Sequence, residues 1–148
     1  MSRFDSKEYA DRLAALRARM AARDVEAVLL DEIEPMVWVG GYGSSLNRWR
    51  CLIVPLDGEP FVLIRALDAA PCRQASWVST IVTYRDWEDP MPVLAEALRA
   101  RGLAEARLGL DFQSYAMSVG RFARLREVLP QLRPVDTGPV VNELRLIK

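Results

Sequence analysis

Residues 48–65 read RWRCLIVPLDGEPFVLIR, and the fold turns on how this stretch is read. Two apolar runs, 51–54 and 61–64, flank Pro55-Leu56-Asp57-Gly58-Glu59-Pro60. An Asp-Gly pair between two β-prone runs predicts a hairpin, because glycine adopts the positive φ that a tight return requires. Neither run alternates apolar with polar, so both faces of both strands need cover. That places the hairpin in the middle of a sheet with helices on each side. Arg48, Trp49 and Arg65 fall at its open end, where function is expected.

Working outward, Asp5 caps a predicted helix running to about Arg23, with Glu8 placed for a capping box and Phe4 and Tyr9 for a hydrophobic staple. Tyr9, Leu13, Leu16 and Met20 recur at helical spacing. Residues 27–31 predict a short buried strand. Asp31, Glu32 and Glu34 then form an acidic cluster; a metal site is conceivable there, and a solvated turn at a strand end is the plainer reading. An apolar run at 36–39 leads to Gly40-Gly41-Tyr42-Gly43-Ser44-Ser45. This is no phosphate loop: Leu46 stands where a third glycine would be, and no Gly-Lys-Ser/Thr follows. It reads as a loop that sets down Leu46, Asn47 and Arg48 beside the hairpin.

Beyond the hairpin, 67–76 predicts a helix and 80–84 a strand. Asp89-Pro90 starts another helix, which Gly102 closes. A strand at 107–111, a helix stopped by Pro130 and a strand at 132–136 follow. The pattern is one α/β layered domain with a mixed sheet, antiparallel at the hairpin.

The 148 residues suffice for one domain with a full core. The 20 basic and 20 acidic residues balance, which argues against nucleic acid or an anionic membrane as partner. No apolar run approaches the ~20 residues of a membrane span. Cys51 and Cys72 fit no metal or redox spacing and read as buried thiols of a cytoplasmic protein. The absence of histidine removes His-based acid–base catalysis, Ser-His and Cys-His nucleophile pairs and nearly all zinc sites.

The ending Glu143-Leu144-Arg145-Leu146-Ile147-Lys148 resembles the junction of the creatinase/prolidase family of pita-bread metallohydrolases, where a similar Arg-x-Ile-Lys leads into the catalytic domain. Arg12, Leu16 and Met20 resemble that family's opening R-x-x-x-L-x-x-x-M. Residues 24–30 (DVEAVLL) resemble its first strand, and Trp38-Val39-Gly40-Gly41-Tyr42 its aromatic-x-Thr/Ser-Gly-aromatic segment. The hairpin follows in the expected place.

The resemblance implies a ribonuclease-H-like N-terminal domain spanning 1–148, non-catalytic by itself, with helices on both faces of a mixed sheet. It implies a catalytic pita-bread domain following Lys148. A divalent metal pair would belong there, and this chain would need no cofactor. It implies a homodimer in which this domain lends residues to the partner's active site and helps select a small peptide, amide or amidine substrate. By this resemblance Arg48 and Leu46 occupy the substrate-contacting positions. Leu46 departs from the family's aromatic residue, and Trp49 and Tyr42 are candidates to supply the aromatic surface instead. Packing in the core or at a dimer interface is the competing role for Trp38 and Trp49. Arg48 has its own competitor, a surface pairing with the acidic cluster at 31–34. An alternative for the whole chain is the protein-interaction module of a catalytically dead peptidase-like protein.

Overall fold

The hairpin forms as its sequence predicts. In the computed structural model, which describes residues 5–43 and 48–147, β2 (Cys51–Pro55) and β3 (Phe61–Arg65) pair antiparallel, with Leu52 opposite Val62. Gly58 turns the chain at φ 113°. The strands β1 (Ala27–Leu30), β4 (Thr80–Tyr84), β5 (Arg107–Leu110) and β6 (Arg133–Asp136) complete a six-stranded sheet in the order β4-β3-β2-β1-β5-β6. β1 joins β2 antiparallel. β4 runs parallel to β3, β5 to β1, and β6 to β5. The hairpin is therefore interior, which accounts for its apolar residues on both faces.

Each face carries its own core. On one side Trp49, Cys51, Ile53, Phe61 and Leu63 pack against α4 (Pro90–Ala100) and α5 (Val119–Val128), through residues such as Leu94, Leu98 and Leu125. On the other, Leu52, Val54, Val62 and Ile64 meet α1 (Ser6–Ala22), α2 (Ile33–Gly40), α3 (Ala69–Ala75) and α6 (Val140–Arg145). The result is the predicted three-layer arrangement with helices on both faces. Arg17 ties α1 to the hairpin turn, donating to the carbonyls of Pro55 (3.0 Å) and Gly58.

Local capping agrees with the sequence in most places. Asp5 accepts from the Glu8 backbone N–H at 2.8 Å, and Asp89 from that of Met91 at 3.0 Å. Gly102 takes φ 71° beyond α4, and the Leu103 N–H closes back on the Leu98 carbonyl. The Glu8 carboxylate is taken by Arg12 at 2.6 Å. Phe4 of the expected staple lies outside the described residues.

Two readings change. The run at 36–39 is part of α2, an additional helix. Its buried Pro35, Met36, Val39 and Gly40 leave little polar stripe to reveal a 3.6-residue period, and Gly41 ends it at φ 89°. The solvated-turn reading of 31–34 fails at its first residue. Asp31 is 4% exposed, Glu32 half-buried and Glu34 exposed.

Candidate functional site

The topology gathers one end of the sheet. β1, β4, β5 and β6 finish where β2 begins, so Asp31, Arg48–Arg50, Arg65, Tyr84 and Asp111 lie along a single edge. Carboxyl ends of parallel strands are the usual location of binding sites in such sheets.

Trp49 is the fixed point of this edge. It is 5% exposed and belongs to the α4/α5 core. Its indole N–H donates to Asp31 Oδ2 at 3.0 Å, its carbonyl accepts from the Tyr84 hydroxyl, and the Arg121 guanidinium stands 5.7 Å from its ring centre. Asp31 also accepts from the Ser114 hydroxyl at 2.6 Å, which brings in the segment after β5. Tyr115 of that segment accepts from the Ile33 N–H at 3.2 Å.

The electrostatics follow from burial. Burial pushes the Asp31 carboxyl above its ordinary range, while hydrogen bonds from Ser114 and Trp49 and the charge of Arg50 pull it back. Burial and the neighbouring Asp111 charge raise Glu32. The Tyr84 hydroxyl is pushed up to about 12 by burial, against the charges of Arg121 and Arg48.

Arg48 is exposed, one residue before the anchored Trp49. Arg50 is 4% exposed; its Nε donates to the Gly43 carbonyl at 3.2 Å, and its Nη2 meets no hydrogen-bond acceptor among the described residues. Tyr42 is 9% exposed and packs in the α1/α2 core. Leu46 lies outside the described residues. Arg65 ends β3 and pairs with Asp68 at 2.6 Å. Of the residues singled out from sequence, Arg48 and Trp49 stand together at the edge, with Trp49 turned inward. Ser114, Tyr84 and Arg121 were missed; they meet Trp49 or Asp31 only through long-range packing, and no local pattern marks them.

Among the described residues no group of three or more His, Cys, Asp or Glu is arranged to hold a metal ion. A cavity of about 30 Å³ lies beside Asp31, Glu32, Asp111 and Thr137. It is far below the roughly 300 Å³ of a small-molecule pocket. No described helix is long and apolar enough to cross a membrane.

Residues 12–147 match the creatinase/prolidase N-terminal domain. The chain belongs to that family. Along 98% of its length this creatinase/prolidase N-terminal domain is 32% identical to ectoine hydrolase of Halomonas elongata, of which it covers 39%. The chain thus spans about two-fifths of that relative's length. Its fold is that of a proline dipeptidase structure from Streptococcus pneumoniae, with TM-score 0.78 at 19% identity, covering 92% of this chain and 98% of the other. Dipeptidase PepE from Mycobacterium ulcerans superposes with TM-score 0.77 at 24% identity, over 99% of this chain and 38% of that one.

Proposed function

We propose that this domain serves a creatinase/Xaa-Pro dipeptidase-like hydrolase by helping to form its homodimer and to select its substrate. C–N bond cleavage takes place in a catalytic domain beyond these residues. The observation that carries the reading is Arg48, exposed at the strand-end edge and one residue from the anchored Trp49. A rigid neighbour fixes where an exposed arginine emerges, and the planar fork of its guanidinium matches the two oxygens of a carboxylate. A small dipeptide, amide or amidine bearing a carboxylate suits that cation. The names of the relatives, an ectoine hydrolase and dipeptidases, support hydrolysis of such compounds.

Among the described residues no group of three or more His, Cys, Asp or Glu is arranged to hold a metal ion; we assign a divalent metal pair to the catalytic domain. Two buried free thiols suit the cytoplasm.

The test is Arg48→Ala in the polypeptide that carries this domain. Loss of a charge-assisted contact of about 1.5–3 kcal/mol lowers kcat/KM roughly tenfold to a hundredfold. Arg48→Lys recovers part of it, because an ammonium does not reproduce the fork. Tm hardly changes, since an exposed arginine contributes at most ~1 kcal/mol. A kcat/KM within about twofold of the parent, with the dimer intact, removes Arg48 from substrate binding.

A further inference from the structure

Arg48 has to be presented from a defined backbone position, and the structure shows what defines it. Trp49 is held at three points that come from three parts of the chain. Asp31 at the end of β1 takes the indole N–H, Tyr84 at the end of β4 donates to the carbonyl, and Arg121 of α5 stands over the ring. Among the described residues only Asp31 engages the side chain through a hydrogen bond, and the same carboxylate holds Ser114 at 2.6 Å. Each carboxylate oxygen thus serves a different segment: Oδ2 the approach to β2, Oδ1 the segment after β5. On the other side of Trp49, Arg50 is held to Gly43.

This geometry is costly to keep. A carboxylate 4% exposed is desolvated, and the two donors on its oxygens offset that only in part. An apolar residue at the end of β1 would pack against the same core without that cost. What it would not do is hold the indole N–H, and through it the backbone from which Arg48 departs.

We propose that Asp31 is a positioning residue for Arg48, acting through the Trp49 indole and bracing it against the segment after β5 through Ser114. The proposal rests on the reading that Arg48 meets substrate. Asp31 itself touches neither substrate nor a reacting atom. Removing its acceptors leaves the Trp49 N–H buried without a partner, so the 48–50 backbone relaxes and the guanidinium of Arg48 loses its aim.

The experiment measures kcat/KM, Tm and dimer mass for the full polypeptide and for Arg48→Ala, Asp31→Ala, Asp31→Asn and the Asp31→Ala/Arg48→Ala pair. Misplacement of a binding group costs on the order of tenfold or more. Asp31→Ala is expected to lose about that factor, chiefly in KM. On the Arg48→Ala background the same change costs less than about twofold, because the group it positions is gone. Asp31→Asn recovers most of the loss, since its amide oxygen accepts from the indole and its NH2 donates to Ser114. An Asp31→Ala loss of equal size in both backgrounds overturns the proposal: Asp31 would then act by another route. An unchanged Asp31→Ala beside a damaged Arg48→Ala overturns it too, and leaves the role of Arg48 standing. A silent Arg48→Ala removes that role and this inference together. Should Asp31→Ala not fold, Trp49→Phe, which deletes the N–H and keeps a ring, takes its place with the same expected non-additivity, and additivity there overturns the proposal.

Discussion

Gly109 in β5 lies directly against Thr137: a methyl group on Gly109 would come within 2.5 Å of Thr137 Cγ2 and 3.1 Å of Val28 Cγ1. The close approach lets the turn after β6 settle on the sheet, where the Thr137 N–H reaches the Leu110 carbonyl at 2.9 Å. Overpacking of this kind typically costs about 1–3 kcal/mol. Gly109→Ala is expected to lower Tm by roughly 2–4 °C for each kcal/mol lost. Thr137→Ser removes Cγ2 and keeps the hydroxyl, so adding it to Gly109→Ala restores part of the loss. Thermal melts of the two variants decide the matter, and a Gly109→Ala that melts with the parent would mean that the Thr137 turn moves aside freely.

Both thiols should be inert in the folded protein. Cys51 and Cys72 are fully buried. Burial raises the Cys51 thiol well above its ordinary value and pushes Cys72 up to about 11. Since the thiolate is the reactive form, neither reacts with an aromatic disulfide reagent at pH 8, and both react in guanidinium chloride. Absorbance of the released thiol counts them. One fast-reacting thiol without denaturant would show that the packing around it opens readily.

The Asp31 carboxyl is raised, which sets the sign of its pH dependence. Between the unfolded carboxylate value of about 3.9 and the raised folded one, the native state binds more protons than the unfolded state. Asp31 therefore contributes increasing stability as pH falls through that window, and its unfavourable burial is fully felt above it. Asp31→Asn lacks this dependence. Urea midpoints of parent and variant, compared at pH 7 and at pH 4.5, should shift relative to each other in favour of the parent on acidification. Parallel behaviour at the two pH values would contradict the raised value. Glu32 is raised chiefly by burial and by the Asp111 charge, which both proteins share; the smaller part owed to the Asp31 charge is lost in Asp31→Asn and adds to the same relative shift.

The amides of β2 and β3 should be among the slowest to exchange. The hairpin is covered on both faces and bonded on both sides within the sheet. Slow exchange marks segments that open only with the whole domain. The edge strands β4 and β6 should exchange sooner. Hydrogen exchange followed by NMR gives the ranking, and a hairpin that exchanges as fast as β4 would mean that it opens independently of the rest of the sheet.

How far the sequence reaches depends on the range of the forces involved. The hairpin, the Asp5 and Asp89 caps and the Gly102 stop arise from residues within a few positions of one another, so they can be read directly from the chain. Apolar runs without alternation were enough to put the hairpin inside the sheet, because desolvation acts on each residue whatever its partner. α2 escaped because a short helix buried on most sides shows no amphipathic period. The candidate site divides in the same way. Arg48 was visible from the resemblance and from its place beside the hairpin. Asp31 looked like part of a solvated acidic turn, since nothing near it in sequence announces its donors. Those donors are Trp49, eighteen residues away, and Ser114, eighty-three residues away. They meet it only because β5 pairs parallel to β1 while β2 pairs antiparallel on the other side. A hydrogen bond acts over about 3 Å, so which groups share one is settled by the packing of the whole sheet and not by any local pattern.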